Sequence, residues 1–420
     1  MRASLRNAAA MLLARLAAPA LSFAVNVGAA RMAGLEVLGE YVHLLALLAI
    51  FQTAATAGMT GLLTREFAAD PERTALHLRR GRTVGAFTGA AATLAFLAAA
   101  ILAAPDRAAA AAVLALAVLP SAWIGAHEAF FMGTHTHHRV TAVAVLENAL
   151  KLALALGTLR LGGGLLALCA GVAVSRAAAL AVGAVLVRRA GVRGAWRPVA
   201  LGSIRPFLRE VAPFALLLVL STVYFKLDLL LVDAVLGAAG TGPYGAALQF
   251  YAVALLVPDS AMAVLYPRLA ARRRASGQGY AEATRAALRW VTLSLVPIGL
   301  GLFALADVVL RIAYGSHVPG AAPALRVLAL SLPLHGANAA LGQALMAGKL
   351  YRPTVGVVLA GLVAHALLCL VLLPRVGLVG AAASVIASSA VVAAGAWIVF
   401  QREVVRRFGL APAPAGRRAA

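Results

Sequence analysis

Acidic residues are scarce in this chain. Its 420 residues contain only 15 Asp and Glu, against 37 Lys and Arg. Lysine is nearly absent as well, occurring at Lys151, Lys226 and Lys349, so the basic side is almost all arginine. Charged residues make up 12% of the sequence, about half the share usual in soluble domains. That deficit excludes a water-soluble protein built around one core. Two cysteines, Cys169 and Cys369, both in apolar stretches, exclude a disulfide framework and a thiolate metal site. The remainder is apolar: 62% of residues are hydrophobic and the mean hydropathy is +0.91. Apolar stretches of roughly 20 residues recur along the whole length, the run that a helix needs to cross a bilayer. A formal charge of +22 on a soluble protein would point to nucleic acid. Here the basic residues lie between the apolar stretches, so they read as topology signals and no nucleic-acid partner is expected.

The expected fold is an all-α polytopic membrane protein, since unpaired backbone groups are too costly in hydrocarbon for any other arrangement. The expected spans are Ala8–Ala30, Tyr41–Leu63, Thr83–Ala104, Ala108–Met132, Val140–Leu159, Gly162–Val187, Val211–Leu236, Tyr244–Tyr266, Val291–Ile312, Ala324–Ala347, Thr354–Leu373 and Gly377–Phe400. About 27 of the Lys and Arg residues fall in one set of connecting loops and the two tails, and about six in the other set, which is short. The basic set is expected on the cytoplasmic side of the inner membrane, with both termini cytoplasmic. An even number of spans follows, and twelve fits every loop. The amino-terminal stretch has a basic start and an apolar middle like a signal peptide. Arg15 interrupts it and apolar sequence runs on, so it is read as an uncleaved first span.

An internal repeat relates the two halves. GEYVHLLALLAIFQTAATAGMTGLLTRE pairs with GPYGAALQFYAVALLVPDSAMAVLYPRL, and Tyr41 to Arg65 matches Tyr244 to Arg268 in length. LRLGGGLLALCAG pairs likewise with LPRVGLVGAAASV. A six-helix unit repeated in the same orientation gives two lobes around an axis along the membrane normal, with a central cavity between them. The expected boundaries are 1–190 for the N-terminal lobe and 191–209 for a cytoplasmic linker. The C-terminal lobe is expected over 210–405 and a cytoplasmic tail over 406–420.

Three stretches carry a resemblance to a known family. They are ARMAGLEVLGEYVHLLALLAIFQTAATAGMTGLLTREFA, then PFALLLVLSTVYFKLDLLLVDAVLG with TGPYGAALQFYAVALLVPDSAMAVLYPRLA, and YGSHVPGAAPALRVLALSLPLHGANAALGQALMAGKLYRP with LLPRVGLVGAAASVIASS. In that order and spacing they resemble polysaccharide flippases of the multidrug/oligosaccharidyl-lipid/polysaccharide (MOP) exporter superfamily. The resemblance implies two six-helix lobes around a central cavity. It also implies a substrate: an oligosaccharide on polyprenyl pyrophosphate, turned from the inner to the outer leaflet for cell-surface polysaccharides such as lipopolysaccharide or exopolysaccharide. Partners would be the bilayer and a polysaccharide polymerase or glycosyltransferases. The two extra C-terminal spans usual in lipid II flippases of the superfamily are not expected here.

Charges inside spans are costly and each is a functional candidate. Arg15, Lys151, Arg176 and Lys226 are candidate cavity cations for the pyrophosphate that the resemblance implies. Asp228, Asp259 and Glu147 are candidates for ion coupling. Alternatives stand beside each: Arg15 can snorkel to headgroups, Glu147 and Lys151 have the four-residue spacing of a helix ion pair, Lys226 and Asp228 can pair with other helices, and Asp259 can cap the kink at Pro258. No cofactor is expected. His135, His137 and His138 share a loop and are a weak metal candidate. The Gly-rich stretches lack the strand–loop–helix context of a nucleotide site. The outer loops are short and nearly free of carboxylate, so an enzyme is not expected. A membrane glycosyltransferase or polymerase is therefore a lesser alternative, and a multidrug cation antiporter of the same superfamily is the nearer one.

Overall fold

The computed structural model describes the chain except residues 1, 57, 193–197, 201, 203, 316 and 409–420. Within its helices the side chains of residues 2–16, 259, 263, 264, 405, 407 and 408 also lie outside the description. The described residues form thirteen α-helices and no strand: α1 (Arg2–Ala33), α2 (Leu35–Thr56), α3 (Met59–Ala69), α4 (Thr74–Ala103), α5 (Ala108–Ala115), α6 (Val118–Gly133), α7 (His137–Arg160), α8 (Leu165–Arg189), α9 (Ile204–Ala275), α10 (Gly277–Tyr314), α11 (Ala321–Ala347), α12 (Tyr351–Val376) and α13 (Leu378–Phe408). The all-α membrane fold is thus as expected. Ten helical segments among the described residues are long and apolar enough to cross a membrane. α9 is one of them. It runs for 72 residues and breaks at Gly237 (φ 65°, ψ −167°), between the stretches expected as spans seven and eight. α1 covers the stretch expected as the first span. Large apolar side chains such as Leu94, Leu102 and Ile312 point outward, as they do on a face whose solvent is lipid.

Two expected spans are each made of two helices. Span two is α2 and α3, separated at Gly58 in the left-handed conformation (φ 66°). A Cβ there would lie 3.0 Å from Phe214 Cδ1 and 3.2 Å from the Ala215 nitrogen, so the position requires glycine for backbone and space alike. After the break, Met59, Leu63 and Phe67 repeat every four residues and are buried, in a cluster with Leu78, Phe130 and Phe207. Span four is α5 and α6, interrupted at Leu116 and Ala117.

The chain divides into two compact units. Unit 1 comprises residues Met1–Ala246 and Ala313–His317, and unit 2 comprises Ala247–Ile312 and Val318–Ala420. Arg31 Nε donates to the Ala313 carbonyl at 2.7 Å, which fixes the short later segment to unit 1. In unit 2, α13 packs along α11 and α12, and the Tyr280 hydroxyl donates to the Ala344 carbonyl at 2.8 Å inside the cluster around Phe400.

The repeat is visible in unit 1 as a seam between backbones. A Cβ on Gly39 would collide with the Ala238 carbonyl oxygen, and one on Gly242 with the Leu35 carbonyl oxygen. Gly39 and Gly242 are equivalent under the repeat, as are Leu35 and Ala238. The two contacts are therefore one contact made twice, as across a two-fold axis. Val42 and Gly245, also equivalent, face each other between them, with a Gly245 Cβ placed 2.8 Å from Val42 Cγ2.

Candidate functional site

Helices α6, α7 and α8 carry a group of charges at mid-span in unit 1. Arg176, halfway along α8, donates from Nη1 to Glu147 Oε2 on α7 at 3.1 Å, with both side chains largely buried. Lys151, one turn after Glu147, donates from Nζ to Ser22 Oγ on α1 at 3.4 Å. Glu128 on α6 stands in the field of both Arg176 and Glu147. Glu147, Lys151 and Arg176 are thus brought together by two adjacent helices, α7 and α8. Glu147 turns to Arg176, and Lys151 reaches across to α1. Arg176 Nε is buried with no hydrogen-bond partner among the described residues. A guanidinium with one nitrogen engaged and another idle keeps capacity for a second anion. Glu128 was not among the expected residues, although a carboxylate inside span four carries the same signal as the others.

Lys226 and Asp228 lie on the first limb of α9, and no hydrogen bond or ion pair joins them to that group. Asp228 is buried, 3% exposed, and accepts a 2.7 Å hydrogen bond from the Tyr244 hydroxyl on the second limb. Lys226 is half-buried and forms no hydrogen bond or ion pair with any described residue. Asp228, two residues on, supplies the opposite charge in its field without contact. An ammonium inside a membrane helix and without a partner is costly. The side chains of Arg15 and Asp259 lie outside the described residues.

A second group of charges lies at the end of unit 1 bearing the short loops. Arg107, in the turn between α4 and α5, donates from Nη1 to both Asp233 oxygens at 3.0 Å. His43 Nδ1 lies 2.9 Å from Asp233 Oδ2. The Thr241 hydroxyl lies 3.1 Å from Asp233 Oδ1 and 2.8 Å from the Gly237 carbonyl, with one proton to share between them. Arg107 Nε is 3.7 Å from Glu40 and 3.6 Å from Asp106. His43, Arg107, Asp233 and Thr241 are all buried. Sequence patterning gave no warning of this group, because Arg107 reads as an ordinary loop charge.

In unit 2, Arg326 pairs with Asp307. Asn338 Nδ2 donates to the Ser389 carbonyl at 3.1 Å, and the Ser331 and Tyr251 hydroxyls lie 2.9 Å apart beside His335. These contacts join helices. Among the described residues no three His, Cys, Asp or Glu side chains converge as a metal site. Cys169 and Cys369 are both buried.

Residues 4–272 match a family model described as polysaccharide biosynthesis protein. No curated protein matches the chain in sequence. Several solved structures share its fold. An inward-facing multidrug resistance MATE family transporter of the MOP superfamily matches with a TM-score of 0.70 at 12% identity, over 93% of this chain and 94% of that one. The lipid II flippase MurJ in an inward closed conformation matches with a TM-score of 0.70 at 13% identity, over 94% and 88%. A MOP superfamily transporter from Pyrococcus furiosus, described as having a binding pocket of reverse polarity, matches at 0.66 and 13%, over 94% and 93%.

Proposed function

The chain belongs to the polysaccharide biosynthesis protein family, and from that premise we propose that it is a flippase for polyprenyl-pyrophosphate-linked oligosaccharide. It works in the inner membrane, with both termini cytoplasmic, as twelve spans in two six-helix lobes. Two anionic phosphates and a polar glycan must cross about 30 Å of hydrocarbon. Fixed cations in a wet cavity lower that barrier. The observation that carries the reading is Lys226, a half-buried mid-membrane ammonium with no ion-pair partner among the described residues. An anionic cargo would supply the missing charge. Arg176 supports it with its idle Nε, and Lys151 lies one turn from Glu147 on the same helix. Arg15 would meet the pyrophosphate at the inner leaflet.

The cycle is alternating access of the two lobes. Glu147, Asp228 and Asp259 are the carboxylates available to couple it to a cation. The glycan then passes to a polymerase or glycosyltransferase on the outer side. The test uses the purified chain in liposomes with a fluorescent polyprenyl-pyrophosphate oligosaccharide. Appearance of the fluorophore in the opposite leaflet, lost in Lys226→Ala, is expected. Transport of an organic cation with no movement of the lipid-linked sugar would overturn the proposal in favour of drug export.

A further inference from the structure

The Asp233 group is built unlike a support for the fold. Removing a carboxylate and a guanidinium from water costs several kcal/mol per ion, and apolar residues of like volume would hold helix ends together at least as well. Nor is the group spread over many independent contacts. Asp233 is its main centre: it accepts from Arg107 and Thr241 and lies 2.9 Å from His43 Nδ1, while Arg107 also stands 3.7 Å from Glu40 and 3.6 Å from Asp106. These residues come from four places: the start of α2, the α4–α5 turn, and the two limbs of α9 on either side of Gly237.

The seam beside this group has a complementary character. Gly39, Gly242 and Gly245 bring backbones together with almost no side chain between them. Leu38, Tyr41, Val42 and Tyr244 are buried around it, so the backbone contact sits within packed apolar side chains. It lies on the pseudo-two-fold relation of the repeat, and the charged group sits to one side with no counterpart. Asp233 corresponds under the repeat to Ala30, and His43 to Ala246. A symmetric seam is thus flanked by an asymmetric charged hub. Just beyond the seam, at Ala246, the chain leaves unit 1 for unit 2.

We propose that Asp233 is the hub of a releasable clasp. Its bonds to Arg107 and Thr241 and its close contact with His43 hold the start of α2 against the second limb of α9, and their loss opens the glycine seam as one event. Release follows from that centre: when Asp233 lets go, Arg107 keeps Glu40 and Asp106, and no other ion pair among the described residues spans the seam. The proposal concerns this joint and stands whichever cargo the protein carries.

The test places a reporter in the seam. Val42→Cys sits opposite Gly245, in a chain whose Cys169 and Cys369 are replaced by alanine. The full chain in proteoliposomes is treated with N-ethylmaleimide. With the clasp intact, labelling is slow. Arg107→Gln and Asp233→Asn each speed it about tenfold or more, as expected for a local opening made more frequent. Thr241→Val, which removes one hydroxyl donor to the carboxylate and no charged residue, gives a smaller rise in the same direction. Should the charge variants fail to reach the membrane, Thr241→Val decides alone. Unchanged labelling in the variants that fold, including Thr241→Val, overturns the clasp and leaves the hub as a structural ion pair.

Discussion

Gly39 and Gly242 hold equivalent places in the two halves of the sequence, and each presses its Cα face against a carbonyl of the other half's opening helix turn, Ala238 for Gly39 and Leu35 for Gly242. Backbone rather than side chain is the obstacle, so neither site can yield by rotating a rotamer. Gly39→Ala and Gly242→Ala are each expected to destabilise the protein by about 1–3 kcal/mol, the usual cost of overpacking, and by similar amounts because the contacts are equivalent. Gly301, on a helix with nothing near its Cα face, is the control. Thermal unfolding of the purified protein should drop for the first two and hold for Gly301→Ala. A large difference between Gly39→Ala and Gly242→Ala would contradict the symmetric seam.

Lys226 makes no hydrogen bond or ion pair with a described residue, so its removal should cost little stability. Lys226→Ala is expected to reach normal membrane levels while flipping falls at least about tenfold, since a charge-assisted contact to phosphate is worth roughly 1.5–3 kcal/mol. Lys226→Arg should restore part of the rate, because a cation is retained but its shape and hydration change. Full flipping in Lys226→Ala would remove this residue from the cargo path.

Arg176 and Glu147 call for a paired experiment. Arg176→Ala leaves Glu147 without its 3.1 Å donor, next to a second carboxylate at Glu128. A drop of about 2 kcal/mol in stability is expected from the orphaned group. Adding Glu147→Gln should recover stability, since the unmatched charge is gone. Flipping should stay low in the double variant if Arg176 meets the pyrophosphate. Recovery of both stability and flipping would mean that the arginine serves only its partner.

Hydropathy made the helices legible, because bilayer thickness imposes a run length that composition alone reveals. The Gly58 break was not legible. A glycine in an apolar run has many uses, and this one is set by Phe214, far along the chain. The same holds for the charges. Arg176 and Lys226 stand out as ions within spans, and Glu128 qualifies on that ground too. Asp233 lies near a span end and Arg107 in a loop, positions where ions are ordinary. Their meaning comes from meeting each other across 126 residues of sequence. The repeat was legible as a pattern, but its reciprocal backbone contact required coordinates.

Topology gives a prediction independent of any site. Arg272, Arg273 and Arg274 form the last turn of α9 where it meets α10, in one of the most basic stretches between apolar runs. Basic loops are retained in the cytoplasm. Reporter fusions at Gly277 and after Ala420 should both give cytoplasmic signals. A periplasmic signal at either would break the even-span arrangement.

Asp228 and Tyr244 tie together the two limbs of α9, which the Gly237 break separates. The carboxylate is 3% exposed, and its other oxygen, Oδ1, has no hydrogen-bond partner among the described residues, so the tyrosine hydroxyl is the one hydrogen bond it accepts there. Tyr244→Phe keeps the ring and removes that donor. The buried acceptor then bears its desolvation cost uncompensated, about 1–3 kcal/mol. Asp228→Asn should be milder than Tyr244→Phe, because a neutral amide loses less on burial than a charged carboxylate. In the double variant Tyr244→Phe/Asp228→Leu the polar pair is replaced by apolar groups, and most of the lost stability should return. Thermal unfolding of the wild type, Tyr244→Phe, Asp228→Leu and the double variant gives the cycle. Additive losses in the double variant would mean that the hydroxyl and the carboxylate are not energetically coupled. Asp228 would then be stabilised by something other than Tyr244, and its part in ion coupling would rest on that other partner.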